Sequence, residues 1–306
     1  MPPKKTGKIE GLKSEHHRAV VKFRPADWSP VLIASGLSAE PYVLHYFGIR
    51  GLGELPRLML ELCQIPYDSV LYWSTKEYKD LAPFGQMPLL MGGDLEDEDQ
   101  ILCQSSSIVR YIAKEAGIDG SEAGTVGEGR ADMIFECSKD LSANKGAIFT
   151  SDTEKLHGML GKAQELLDEF EGPWFSGMAI TYGDVGMFHV LSTIEEVKAG
   201  YLKKNGFEEL SAFVEEFAAL PPIANYLISD RRMPITANEV GDKPWAPDGY
   251  KYLKPMSAEP YSEEYVEPTY GLDEDDEDDD DEDEDDDDED LIDEPANGRP
   301  AKKSRK

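Results

Sequence analysis

The sequence predicts a small α/β unit followed by an all-helical body, flanked by two ends too polar to build a core. Three observations carry this. Residues 42–62, YVLHYFGIRGLGELPRLMLEL, read as a strand, a glycine-rich turn and a helix. From Glu128 onward the apolar residues repeat at helical spacing only. Residues 273–290 are eighteen consecutive Asp and Glu. The chain of 306 residues, 40% of them hydrophobic, has enough apolar material for two domains.

The elements follow in order. Residues 1–24 carry seven Lys/Arg against two Glu without apolar periodicity, and are expected to be disordered. A transit peptide or a nucleic-acid arm is a weaker reading, and Glu10 and Glu15 count against the first. Residues 25–40 read as a linker, although Trp28 and Val31-Leu32-Ile33 could pack on the body. Tyr42–Phe47 is a strand of aromatic and β-branched residues. Leu55, Leu58, Met59 and Leu62 recur at i, i+3, i+4, i+7, the stripe of a helix against a core. Tyr46 therefore stands where a strand meets a flexible turn, a place that suits chemistry. A second strand spans Tyr67–Trp73, and an irregular segment leads to Phe84-Gly85-Gln86-Met87-Pro88. Leu89–Met91 and Ile101–Cys103 read as two more strands, with a turn at Gly92-Gly93 and an acidic loop between. Gln104-Ser105-Ser106-Ser107 opens a helix with Ile108, Val109 and Ile112 inward, ending at Gly117. This order, βαβ, irregular helix, ββ, α, is that of a thioredoxin-like unit, bounded at 41–118.

The helical domain is placed at 126–232, with helices over 128–149, 152–171, 181–197, 206–219 and 221–229. Thr181 and Asp184 form a capping box, with Ile180 able to staple onto Val185. Residues 233–271, rich in Pro, Tyr and Glu, read as an extended strap or linker. Residues 272–306, the acidic run and its basic end, are expected to be disordered on composition.

Composition excludes several classes. Twenty acids against five basic residues in 273–306 carry about half of the net charge of −31. That potential disfavours nucleic acid and suits a basic protein. Cys63, Cys103 and Cys137 form no C-x-x-C pair and no ligand spacing with the five histidines, so no metal site is expected and the thiols read as reduced. No apolar run approaches a membrane span, and the N-terminus lacks a hydrophobic signal region, so the expected location is cytoplasmic. The five basic residues near the C-terminus are a weak nuclear address. The turn after Tyr46 is no dinucleotide fingerprint, because Pro56 stands where a third glycine belongs.

Four motifs in register, Tyr46-Phe47…Arg50-Gly51, Gly85-Gln86-Met87-Pro88, Gln104-Ser105-Ser106…Ile108 and the Thr181–Asp184 box, make the chain resemble a cytosolic glutathione S-transferase. The resemblance is to the tyrosine-based sigma and pi classes and covers roughly residues 41–235. It implies a dimeric enzyme that joins glutathione to hydrophobic electrophiles, or isomerises or reduces peroxides with it. Tyr46 resembles the tyrosine whose hydroxyl stabilises the glutathione thiolate. Trp73 and Lys79 would hold the glycyl carboxylate, and Met87, exposed by a cis Pro88, would pair with the cysteinyl backbone. Gln86 belongs to the same glutathione-binding loop, while Gln104 and Ser105 would hold the γ-glutamyl carboxylate. Asp140, eight residues after Asp132, resembles the acid that reaches the γ-glutamyl amine of the partner subunit. The second substrate would lie over Tyr46, near Ile49, Leu52 and residues 144–149.

One departure stands out: Leu52 occupies the place of an arginine that assists the thiolate in several tyrosine classes. Arg50 resembles a structural arginine. Cys63 and Cys103 fall on apolar faces and read as packing, not as a cysteine-based thiol transferase. The alternative reading is a non-catalytic scaffold of this fold whose acidic tail binds basic proteins such as histones.

Overall fold

The computed structural model describes residues 17–25, 41–72, 82–93, 95, 101–229, 231–235 and 259–260. Its first half is a six-stranded mixed sheet. The strands are β1 (His17–Phe23), β2 (Tyr42–Phe47), β3 (Tyr67–Tyr72), β4 (Leu89–Gly92), β5 (Leu102–Cys103) and β6 (Glu259–Pro260), in the order β5-β4-β2-β3-β1-β6. β2 and β3 are parallel, with Tyr46 opposite Leu71, and helix α1 (Glu54–Leu62) makes the crossover between them. The other neighbouring pairs are antiparallel. β2, β3 and β4 are buried almost throughout, which is why they read as continuous apolar runs rather than alternating ones.

β1 corrects the expectation of a disordered leader. Residues 17–23 pair with β3 from Tyr67 to Tyr72. Val21 and Phe23 are buried while Lys22 between them is exposed, the alternation of a strand with one wet face. Arg24 fixes the end of the strand, donating to the Tyr67 carbonyl at 3.0 Å and pairing with Asp68 at 2.6 Å. The basic composition of the leader hid a short apolar alternation inside it. Within the strap, β6 pairs with β1 at Ala19 and Val20, so the sheet extends beyond the 41–118 boundaries at both chain ends.

Helix α2 (Ser105–Glu115) packs with α1 on one face of the sheet. The remaining helices are α3 (Gly124–Asn144), α4 (Glu154–Glu169), α5 (Tyr182–Val197), α6 (Tyr201–Lys204), α7 (Glu208–Ala218) and α8 (Pro221–Leu227). Two details differ from the sequence reading. α3 begins four residues before Glu128 and gives way to a 3-10 turn over Lys145–Phe149. A short helix, α6, precedes α7, after Gly200. α5 is the axis of the body, buried from Tyr182 through Phe188 and again from Val190 through Ile194. Phe188 stacks on Phe217 with ring centroids 4.6 Å apart, and Trp174, Phe175 and Phe213 close the aromatic cluster edge-on. The capping box forms at its start: the Thr181 N–H donates to Asp184 Oδ2 at 2.8 Å. Asp184 Oδ1 also accepts the Phe175 N–H at 2.8 Å, so one carboxylate ties the preceding loop to the helix.

Candidate active site

The end of β2 delivers Tyr46 into a cavity of about 500 Å³, a size usual for small-molecule sites. The ring is almost fully buried, at 6% exposure, among Val43, Met87, Leu89 and Cys103. Its hydroxyl accepts the backbone N–H of Leu52 at 2.9 Å. That contact needs the turn to fold tightly over the ring. Gly51 has φ +40°, and a Cβ there would stand 2.5 Å from the Tyr46 hydroxyl oxygen. A Cβ on Gly53 would stand 2.5 Å from the ring itself. The glycines are thus required by close approach, not by phosphate binding.

Arg57 holds the turn from below, and sequence reasoning missed it. It is fully buried on α1, donating to the Ile49 carbonyl at 2.9 Å and to the Phe47 carbonyl at 3.3 Å. Its guanidinium lies 5.8 Å from the Tyr46 ring centroid, within cation–π range. The signal was in the sequence: Glu54, Arg57 and Glu61 share one helix face at i, i+3, i+7, and all three are buried. Glu54 accepts the Tyr226 hydroxyl at 3.0 Å, and Glu61 takes Arg231 at 2.8 Å together with the Tyr67 hydroxyl at 3.0 Å. This polar stripe joins the sheet unit to the C-terminal end of the helical body. Arg50 is structural, as its resemblance implied: it pairs with Glu196 at 2.5 Å and donates to the Met233 carbonyl at 2.8 Å.

Ser105 shares the cavity with Tyr46. It is the first residue of α2, whose opening N–H groups have no intrahelical acceptor and favour an anion. Gln104, just before it, holds the unusual φ of 70°. Its Nε2 donates to Gln86 Oε1 at 3.0 Å, so the loop before β4 and the start of α2 are linked. Between them the Met87–Pro88 peptide is cis, and both residues are buried. Asp140 does not join this group within one chain. It lies on the exposed side of α3 and does not line the cavity. Asp132 instead accepts Arg110 Nε and the Tyr182 hydroxyl, each at 2.8 Å, tying α2, α3 and α5 together. Trp73 and Lys79 lie outside the described residues.

The rest of the cavity has two walls. Ile49, Leu52, Leu55 and Ile235 form an apolar one; Leu52 is 59% exposed and its side chain faces no described partner in the core. The other wall takes Ser138, Lys139 and Ser142 from α3, Lys145 from the 3-10 turn after it, and His189 and Thr193 from α5. Of residues 144–149 only Lys145 reaches the cavity, and the α5 contribution was not expected from sequence. The thiols stand apart: burial pushes Cys63 up to about 12 and raises Cys137 as well, which keeps both protonated and unreactive at neutral pH. Among the described residues no cluster of three metal-ligating side chains occurs, and no helix is long and apolar enough to cross a membrane.

Known proteins share this arrangement. Residues 55–115 match the family model described as glutathione S-transferase, N-terminal domain, and residues 133–230 that of the C-terminal domain. A glutathione S-transferase of Plasmodium yoelii yoelii is 31% identical over 195 residues, covering 58% of this chain and 88% of the relative. One from Plasmodium falciparum is 32% identical over 208 residues, covering 60% and 94%. Among solved structures, the pi-class glutathione S-transferase of Onchocerca volvulus superposes with a TM-score of 0.53 at 26% identity, covering 61% of this chain and 91% of that one. With its thioredoxin-like sheet unit, its helical body and a tyrosine at the mouth of the cavity between them, the chain belongs to the glutathione S-transferase family.

Proposed function

We propose that the chain is a glutathione transferase in which Tyr46 keeps the glutathione thiol ionised for attack on a hydrophobic electrophile. The observation that carries this is the Leu52 N–H on the Tyr46 hydroxyl at 2.9 Å. A phenol oxygen that accepts one hydrogen bond gives its own proton more readily to another acceptor. The backbone of Leu52 thereby supplies polarisation from a position where the side chain is not an arginine. A hydrogen bond to a charged partner contributes about 1.5–3 kcal/mol, which lowers a thiol pKa by roughly one to two units. The thiolate then forms the C–S bond, the leaving group departs with its electron pair, and the thiol proton goes to solvent.

In this reading Ser105 and Gln104 hold the γ-glutamyl carboxylate. Gln86, Met87 and Pro88 present the loop that pairs with the cysteinyl backbone, and Trp73 and Lys79 hold the glycyl carboxylate. Asp140 serves the partner subunit's glutathione in a homodimer. Support for association comes from Phe84, Val126 and Met133, large apolar side chains at 72%, 75% and 53% exposure. Isomerase or peroxidase action would use the same thiolate. The test is retention of the full chain on immobilised glutathione, followed by a conjugation assay with 1-chloro-2,4-dinitrobenzene. Retention with turnover is expected; retention without turnover would leave a binding module of this fold.

A further inference from the structure

The helical body carries a second cleft, of about 320 Å³, which shares no lining residue with the cavity at Tyr46. It lies where the 3-10 turn after α3, the start of α4 and the end of α5 meet α6. Two lysines line it. Lys198, just past α5, donates from Nζ to the Ile148 carbonyl at 2.8 Å and lies 5.2 Å from the Tyr201 ring centroid. Lys204, the last residue of α6, donates from Nζ to the Ala199 carbonyl at 2.8 Å. An ammonium has three donors, so each lysine spends one on a neutral carbonyl and keeps two. Neither has a carboxylate partner among the described residues, and no Asp or Glu lines the cleft. The acids nearby are engaged or turned away. Glu195 caps α6, accepting the N–H groups of Gly200 at 2.6 Å and Leu202 at 2.7 Å. Glu196 pairs with Arg50 and Arg232, and Asp152 and Glu154 flank Thr153 without lining the cleft. The back of the cleft is fixed: His157 Nε2 and the Tyr201 hydroxyl share a hydrogen bond at 2.8 Å, and Asn205 Nδ2 donates to the Tyr201 carbonyl at 2.7 Å. Thr153 opens α4 without turning its hydroxyl onto the helix, which leaves that hydroxyl available.

We propose that this cleft is a binding site for a small phosphate monoester, separate from the cavity at Tyr46. The phosphate meets Lys198 and Lys204, Thr153 adds a hydroxyl donor, and the organic body lies on the Ile148 and Ala199 side. A dianion matches two ammonium groups, whereas a carboxylate would leave one of them unanswered. A chain with a net charge of −31 repels anions at long range, so an anion site on it needs local cations that no neighbouring acid neutralises, and this cleft supplies two. Its volume equals about ten waters at roughly 30 Å³ each, more than a phosphate group displaces and enough for a body the size of a phenyl or sugar ring. Nothing in this site depends on Tyr46 or on glutathione.

The experiment is calorimetric titration of the full chain with phenyl phosphate, and in parallel with benzoate, at an alkaline pH well above the second phosphate pKa of about 6. Phenyl phosphate should saturate one site, with an affinity that falls as salt is added. Benzoate should bind about fivefold or more weakly, as expected for loss of one charge-assisted contact. Lys204→Met should weaken phenyl phosphate about three- to tenfold, Lys204→Arg should keep most of the affinity, and Lys204→Glu should abolish it. Lys204 is exposed at the end of a short helix, so the melting temperature should stay close to that of the native chain and lost binding would not reflect lost folding. Lys198→Met should also weaken binding, but it frees the Ile148 carbonyl as well, which makes Lys204 the cleaner probe. Lys139→Met removes a cation from the cavity at Tyr46 and should leave phenyl phosphate binding unchanged. No saturable binding, equal affinity for benzoate, or an affinity that survives Lys204→Glu would overturn the inference. So would an affinity that falls with Lys139→Met in place of Lys204→Met, because the anion would then sit in the other cavity. None of these results bears on the transferase reading.

Discussion

Tyr46 works through its neighbours, and the sequence exposed only some of them. A tyrosine at a strand end before a glycine turn was legible from Tyr42–Phe47 and Gly48–Gly53. The reason for the glycines was not, because close approach of a backbone to a ring is a tertiary fact. Gly51→Ala puts a methyl group 2.5 Å from the phenol oxygen at a φ of +40°. The turn must then lift, breaking the Leu52 N–H bond to Tyr46. The strain and the lost contact together cost about 1–3 kcal/mol. Conjugation should fall at least tenfold, with a lower denaturation midpoint, while glutathione affinity changes little. Normal turnover in this variant would show that the Leu52 contact is dispensable. His189 escaped the sequence reading for another reason: α5 is so uniformly apolar that a histidine on it reads as a satisfied core residue.

At the scale of elements, the helices that carry strong periodicity and caps were legible and the edges of the sheet were not. α1 and α2 declare themselves by apolar spacing, and α5 by the Thr181–Asp184 box. β1 did not, since seven residues of strand inside a basic leader offer only Val21 and Phe23 as described buried witnesses. The box itself makes a pH prediction. Burial pushes the Asp184 carboxyl up to about 6, against the N–H groups of Thr181 and Phe175 that favour its charge. The folded value lies above the ordinary 3.8, so the folded state binds the proton more tightly than the unfolded chain. The stabilisation from this shift is therefore full below about pH 4 and is lost as pH rises through about 6. Urea denaturation of the full chain and Asp184→Asn across that range should show the native chain's margin shrinking as pH rises. A margin that grows instead would mean that the hydrogen bonds outweigh burial.

For the whole molecule, the two chain ends should behave oppositely. Deleting residues 1–24 removes β1, uncovers the β3 edge, and exposes the partners of Val21, Phe23 and Arg24. The truncated protein should lose several kcal/mol of stability, as expected when two buried apolar side chains are lost, and aggregate through the open strand. Deleting residues 272–306 removes a segment with almost no apolar side chains to bury. Melting temperature and turnover should stay close to those of the full chain, while salt-sensitive binding to basic proteins should disappear. Composition suggested that both ends were dispensable; the pairing of β1 with β3 separates them. The claim that unites residue, sheet and cavity is the ionised thiol at Tyr46, and the pH dependence of kcat/KM for conjugation tests it most directly. Tyr46→Phe should still be retained on glutathione, but its pH–rate profile should move alkaline by roughly one to two units. An unmoved profile in Tyr46→Phe would contradict the account, because the thiolate would then owe its stability to some other group.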